Sequence, residues 1–282
     1  MTNAIELKGI WKRLDSFQLG PLDMLVPEGS VVGYIGENGA GKSTTIKLML
    51  GLMRPDGGTI RLLGHDTQTM GPKEKQDLAF VFDELFLPGE MKLKQAETFH
   101  RYLYGDAWQT ETFRALCKRF KLPDERAIKL YSRGMRMQLA LALALSHQAK
   151  LLLLDEATSG LDPVIRDDVL DILLEYLQDE RHTILISSHI LSDIEKIADY
   201  IAFVHEGRLL FMEAKDTLTE KYGLTSLSKE QLAELDPSAV VGKRVHRFGA
   251  DVLVKRDLVP VNMELEKATV EEIMVYMIKG SR

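Results

Sequence analysis

Gly36-Glu37-Asn38-Gly39-Ala40-Gly41-Lys42-Ser43-Thr44 decides how this chain is read. The stretch fits the pattern G-x-x-x-x-G-K-[ST] without gap or substitution. Its flanks fit as well: Val31-Val32-Gly33-Tyr34-Ile35 has the make-up of a short buried strand, and Thr45-Ile46-Lys47-Leu48-Met49-Leu50 that of a starting helix. Glycines at 36, 39 and 41 let the backbone curl so that successive N–H groups face a polyphosphate. The helix start adds the positive end of its dipole, and Lys42 a full charge for the β- and γ-phosphates. Ser43 is placed to ligate Mg²⁺ through its hydroxyl. A nucleoside-triphosphate site built from Glu37, Asn38, Gly39, Ala40, Gly41, Lys42, Ser43 and Thr44 is implied. An ordinary glycine-rich turn needs no such strand, lysine and helix in that order.

Two further stretches carry carboxylate and imidazole chemistry. Leu151-Leu152-Leu153-Leu154 reads as a buried strand that delivers Asp155 and Glu156 to its C-terminal end, the edge where ligands sit in an open α/β sheet. Asp155 suits Mg²⁺, through the metal's water shell, and Glu156 suits polarising the water that attacks a γ-phosphate. Ser187-Ser188-His189 ends the next expected strand, so His189 should emerge on the same edge, able to hydrogen-bond a phosphate oxygen. The competing readings are acidic surface residues and a helix-capping histidine. The phosphate loop upstream weighs against both.

Around these stretches the chain organises as α/β. Strands are expected over residues 4–10, 22–26, 59–63, 78–82, 183–187, 200–205 and 208–212, with a polar turn over 12–16. From about 88 to 148 strand signals vanish, and apolar residues recur at helical spacing (Leu93, Ala96, Phe99, His100, Leu103, then Phe113, Leu116, Phe120), which reads as a helical insertion. Asp162-Pro163 is an N-cap and first-turn proline for a helix to about Leu177. Beyond Lys221-Tyr222-Gly223 the texture becomes that of a small α+β appendage, with strands near 240–245 and 251–255 and a closing helix over 269–279.

Composition sets bounds. The 282 residues are 45% hydrophobic, ample for a sizeable core, and the formal net charge of −6 argues against a nucleic-acid binder. The single cysteine, Cys117, excludes an internal disulfide and suits a reducing cytosol; it reads as a packed helix residue rather than a nucleophile. The N-terminus lacks a secretion signal, and the apolar runs are too short to span a bilayer.

Together these residues resemble the ATP-binding cassette (ABC) family, the motor subunits of ABC transporters, over about residues 5–212. Residues 36–44 resemble its Walker A, 151–156 its Walker B with the catalytic glutamate, Ser159-Gly160-Leu161-Asp162 its D-loop and His189 its switch histidine. Tyr131-Ser132-Arg133-Gly134-Met135-Arg136 stands where the signature LSGGQ belongs. Ser132 and Gly134 are kept, while Arg133 and Met135 replace a glycine and a glutamine. As N-cap of the following helix, Ser132 can still present a hydroxyl and the helix dipole to a phosphate. The Q-loop glutamine corresponds to Asp83, and the adenine-stacking aromatic falls near Leu14, which leaves Trp11 or Phe17 as substitutes.

The resemblance implies a P-loop NTPase core of the ABC ATPase type with a β subdomain, an inserted helical subdomain and a small C-terminal appendage, divided as residues 1–223 and 224–282. It implies catalytic roles for Glu156 and His189, nucleotide contacts from the phosphate loop with Ser132 and Gly134, and metal contacts from Ser43, Asp155 and Asp83. The implied cofactors are ATP and Mg²⁺. The implied partners are an integral-membrane permease and a second ATPase, identical or paralogous, with no nucleic acid, at the cytoplasmic face of the cell membrane and without a span of its own. Phe86 and Leu87 read equally as docking residues and as buried anchors. The altered signature, acidic Q-loop and Ala268–Met274 ending are similar to a bacterial branch serving ABC-2-type exporters of antibiotics and amphipathic peptides, phenol-soluble modulins among them. Two rivals stand beside this reading. A soluble cassette ATPase of the tandem kind would need a second phosphate loop, and one of the chromosome kind long heptads between Lys42 and Ser132. A regulatory module without turnover would not need Glu156 and His189.

Overall fold

The structure, a computed structural model, describes residues 2–82, 84–179 and 181–280, and the architecture is that of these residues. β1 (Asn3–Leu14) and β2 (Phe17–Pro27) form an antiparallel hairpin running from Asn3 opposite Pro27 to Leu14 opposite Phe17. The turn expected over 12–16 is therefore confined to Asp15 and Ser16, and the strand expected over 22–26 begins at Phe17. The polar pair Lys12 and Arg13 stays extended because Asp56 accepts from both, from Lys12 Nζ at 2.7 Å and from the Arg13 amide at 2.8 Å.

The chain enters the central sheet through β3 (Val31–Ile35) and turns into α1 (Lys42–Met49). It returns to the first sheet as β4 (Gly57–Leu62) and β5 (His65–Asp66), giving the order β2-β1-β4-β5. A short α2 (Pro72–Lys75) leads to β6 (Leu78–Val81). The helical insertion follows as α3 (Leu93–Tyr104), α4 (Thr110–Arg119) and α5 (Arg133–Ala144). Then come β7 (Leu151–Asp155), α6 (Pro163–Tyr176), β8 (Thr183–Ser188), α7 (Leu191–Ile197), β9 (Tyr200–His205) and β10 (Arg208–Ala214).

The central sheet runs β10-β9-β3-β8-β7-β6, in which β3, β8, β7 and β6 run parallel to one another. β3, β7 and β8 are buried along their whole length. That burial explains why they are apolar runs rather than alternating patterns: a parallel strand is covered on both faces. On one face α7 lies so close to β3 that a Cβ on Gly33 would stand 2.2 Å from Ile194 Cγ2.

In the insertion the apolar stripe of α3 divides. Leu93 and Ala96 are buried, whereas Phe99 and Leu103 are 41% and 51% exposed. These two line an open apolar groove of about 320 Å³ with Phe80, Phe82, Phe86 and Leu87. Cys117 is buried on α4, and desolvation, with Asp124 and Glu97 adding to it, pushes its thiol up to about 12. It is thus protonated at neutral pH and packs as a small apolar side chain.

Contacts divide the chain into two compact units, residues 1–198 with 202–212, and 199–201 with 213–282. The second contains α8 (Lys215–Lys221), β11 (Tyr222–Leu227), α9 (Lys229–Glu234), β12 (Val240–His246), β13 (Gly249–Lys255), β14 (Glu266–Lys267) and α10 (Val270–Lys279). β11 runs straight through residue 223, where the change of sequence texture places a boundary. The sheet order is β12-β13-β11-β14, and Ala250, Val252, Val254 and Leu227 form its core. Thr269 caps α10 in a reciprocal box with Glu272.

Candidate nucleotide site

The site forms because neighbouring parallel strands end together. Ile35 of β3 is level with Ser188 of β8, and Ser187 is level with Asp155 of β7, so the three following segments leave one sheet edge side by side. The loop after β3 can curl because Gly39 and Gly41 sit at φ +84° and +104°, in the left-handed region that costs glycine nothing. A buried relay fixes α1 to β3: Tyr34 donates its hydroxyl to Thr45 Oγ1 at 3.0 Å, and Thr45 donates to the Gly41 carbonyl at 2.9 Å. Burial pushes the Tyr34 phenol well above its usual range, so it remains a protonated donor.

Lys42 is buried, and its Nζ donates to the Gly36 carbonyl at 2.8 Å and the Glu37 carbonyl at 3.3 Å. The same Nζ lies 3.4 Å from Glu156 Oε1. The other carboxylate oxygen, Glu156 Oε2, is 2.6 Å from His189 Nδ1. A carboxylate only accepts, so in this pair Nδ1 carries a proton and donates it. Glu156 itself has φ +54°, unusual for a residue with a side chain, and its amide is held by both the carbonyl and the hydroxyl of Ser187 at 3.1 Å. Ser187 also donates to Asp155 Oδ1 at 2.6 Å.

These groups surround one cleft of about 380 Å³, lined by Phe17, Asn38, Gly39, Gly41, Lys42, Ser43, Thr44, Asp155, Glu156, Ser159 and His189. Glu37 and Ala40 belong to the loop but not to the lining: Glu37 points toward His205, with 3.7 Å between Oε2 and Nδ1, and Ala40 is buried. Ser132 and Gly134 stand apart from this cleft, at the start of α5, where Ser132 Oγ accepts from the Met135 amide at 3.1 Å. Arg133 lies over Gly160, its Nη1 2.7 Å from where a Cβ would be. Asp83 lies outside the described residues.

The structure separates the two aromatic candidates left open by the sequence. Phe17 lines the cleft against Gly41, whereas the Trp11 indole packs over Gly57, away from it. The structure adds two serines to the site: Ser159, the first residue of the D-loop segment, lines the cleft, and Ser187 orients Asp155. Ser187 stands within the quoted Ser187-Ser188-His189, but only strand register shows that its hydroxyl faces Asp155. A larger cleft of about 870 Å³ holds none of these groups, and its Lys150 and Arg181 are paired with Asp77 and Asp179.

The fit to a divalent cation rests on donor chemistry. Among the described residues no cluster of three or more His, Cys, Asp or Glu could hold a metal alone. Asp155 and Ser43 share the cleft. One carboxylate with one hydroxyl suits Mg²⁺, which keeps waters and takes its remaining ligands from phosphates.

Comparison with known proteins agrees with this geometry. The family model described as ABC transporter matches residues 19–159. The daunorubicin/doxorubicin resistance ATP-binding protein DrrA of Streptomyces peucetius is 34% identical over 87% of this chain and 78% of its own. The bacitracin transport ATP-binding protein BcrA of Bacillus licheniformis is 30% identical over 74% of this chain and 67% of its own. A solved ATP-binding subunit of an ABC transporter superposes with a TM-score of 0.69 at 27% identity, covering 77% of this chain and 92% of that one.

Proposed function

The chain belongs to the ABC transporter family and is an ATPase, and from that premise we propose that it drives a bacterial ABC-2-type exporter, working as a dimer closed around two ATP–Mg²⁺. The observation that carries the reading is the line Lys42–Glu156–His189 across one phosphate-loop cleft. The loop amides and Lys42 bind the β- and γ-phosphates. An arriving γ-phosphate competes with Glu156 for the Lys42 ammonium, which frees the carboxylate to take a proton from the attacking water. His189 holds that carboxylate through its Nδ1 proton and, as the imidazolium that carries a second proton on Nε2, donates to a phosphate oxygen. Asp155, oriented by Ser187, and Ser43 would hold Mg²⁺, which when bound would supply charge to offset that of the phosphates. Phe17 supplies the aromatic face for adenine that Leu14 lacks.

Ser132 and Gly134, away from this cleft, serve the nucleotide of a second copy, identical or paralogous. On this reading residues 1–223 are the motor and 224–282 an accessory domain. Asp83, in the segment leading to Phe86, is assigned to the metal or its water by resemblance. The relatives' names, daunorubicin/doxorubicin resistance and bacitracin transport, support antibiotics as the cargo; amphipathic peptides are the other cargo the resemblance implies. No helix of the described residues is long and apolar enough to cross a membrane. On this reading the substrate path lies in a separate permease, at whose cytoplasmic side this chain docks, as the relatives' names as transport ATP-binding proteins support. The groove lined by Phe80, Phe82, Phe86, Phe99 and Leu103 offers an apolar seat for it.

Photocrosslinking from position 86 in the cell that makes the protein tests the reading. An integral-membrane subunit as the main adduct is expected. A soluble partner alone would overturn the exporter assignment and favour a soluble cassette ATPase.

A further inference from the structure

The hairpin joining β12 and β13 differs in character from the rest of the chain. Lys243, Arg244, Val245, His246, Arg247 and Phe248 are all exposed, in a protein whose net charge is −6. Arg247 and Phe248 alone separate β12 from β13, so they form the tip. Val245 is 66% and Phe248 81% exposed. The Arg247 guanidinium lies 5.7 Å from the Phe248 ring centroid, which leaves most of that ring facing solvent.

The other face of the hairpin is already in use. Arg244 lies 4.9 Å over the Tyr276 ring of α10, and His246 faces Asp251 at 3.8 Å. By strand alternation Lys243 and Val245 share the opposite face, and Arg247 with Phe248 extends beyond it. Two cations, Lys243 and Arg247, thus frame two bare apolar side chains at the turn end of the β12–β13 hairpin, whose β13 strand is itself paired with β11.

We propose that this tip docks on the surface of an anionic phospholipid bilayer. Lys243 and Arg247 would meet lipid phosphates while Phe248 and Val245 enter the boundary between headgroups and acyl chains. A nucleic acid would satisfy the cations but leave Phe248 and Val245 in water, and the chain's acidic balance opposes it. The inference needs no permease, so it stands or falls separately from the exporter reading.

The test is sedimentation of the full chain with vesicles of phosphatidylcholine alone and of phosphatidylcholine with phosphatidylglycerol. Binding to the anionic vesicles only, weakened by salt, is expected. The variant Lys243→Glu/Arg247→Glu/Phe248→Ser should bind them about 100-fold less, since each basic residue near the surface contributes about fivefold and the ring adds to it. ATP turnover and far-UV circular dichroism should be unchanged, which shows that the fold is intact. Equal binding to neutral vesicles, or undiminished binding by the variant, overturns the proposal. So does a wild-type chain that ignores anionic vesicles, whether it retards duplex DNA, self-associates through the hairpin or does neither.

Discussion

Lys42 and Glu156 face each other across the cleft, Nζ to Oε1 at 3.4 Å, with the lysine buried and the carboxylate only partly exposed. On the proposed reading the cation for phosphate and the base for water hold one another until a phosphate separates them. This pairing makes the roles of the two residues separable by substitution.

Glu156→Gln keeps the side chain's size and a hydrogen-bonding oxygen but removes the base. ATP binding should persist, and phosphate release should fall about 100- to 10,000-fold. Isothermal titration beside a phosphate-release assay checks both halves. Turnover within about threefold of wild type would remove Glu156 from the role of base.

Phe17→Ala removes the aromatic ring nearest the loop while sparing Lys42 and Glu156. The ATP dissociation constant should rise about 5- to 30-fold, in line with about 1–2 kcal/mol for a stacked base. Trp11→Ala should leave affinity unchanged once any loss of stability is allowed for. The opposite ranking would move the adenine seat to Trp11.

Much of this site could be read along the chain, and the reason is local. Residues 36–44 and 151–156 are each one contiguous segment whose strand and loop carry their chemistry together. Phe17 could not be chosen over Trp11 from sequence, because the choice depends on where the β1–β2 hairpin brings its turn relative to Gly41. The hairpin's length was also hidden: Lys12 and Arg13 look like turn residues until Asp56, distant in sequence, is seen to hold them. β5, β11 and β14 escaped for a related reason. They are short or half-exposed, so their patterns are weak, and they become strands through partners elsewhere in the chain. The spacing of the α3 stripe shows a common helix face, but which of its residues are covered depends on neighbours distant in sequence, so the exposure of Phe99 and Leu103 is not legible from it.

Phe86 is 72% exposed, so charging it should cost little stability. Phe86→Asp should leave ATP turnover of the isolated chain within about twofold and abolish association with the membrane subunit. Retained association, measured by co-purification from detergent-solubilised membranes, would remove the groove from the docking reading.

Acid should loosen the insertion. His147 stacks on Tyr104 at 3.9 Å, and the His100 ring lies near-parallel to Tyr104 with its centroid 6.2 Å away. Burial holds both imidazoles below their ordinary value of 6.5, against the opposing pull of carbonyls at Ala96 and Leu78. A histidine depressed in the fold binds its proton more readily unfolded. The stability is therefore full above 6.5 and is lost as pH falls from there toward the lower folded values. The melting temperature should drop between about pH 7 and about pH 5, and His147→Phe, which keeps a ring on Tyr104, should flatten the slope. A midpoint constant across that window would contradict this.

The most direct measurement is light scattering of the Glu156→Gln chain with and without ATP and Mg²⁺. A monomer that becomes a dimer only with both present is expected, with the wild type reverting as it hydrolyses. A chain saturated with ATP–Mg²⁺ that stays monomeric would contradict closure of two identical copies around nucleotide, leaving a paralogue or the permease itself to complete the site.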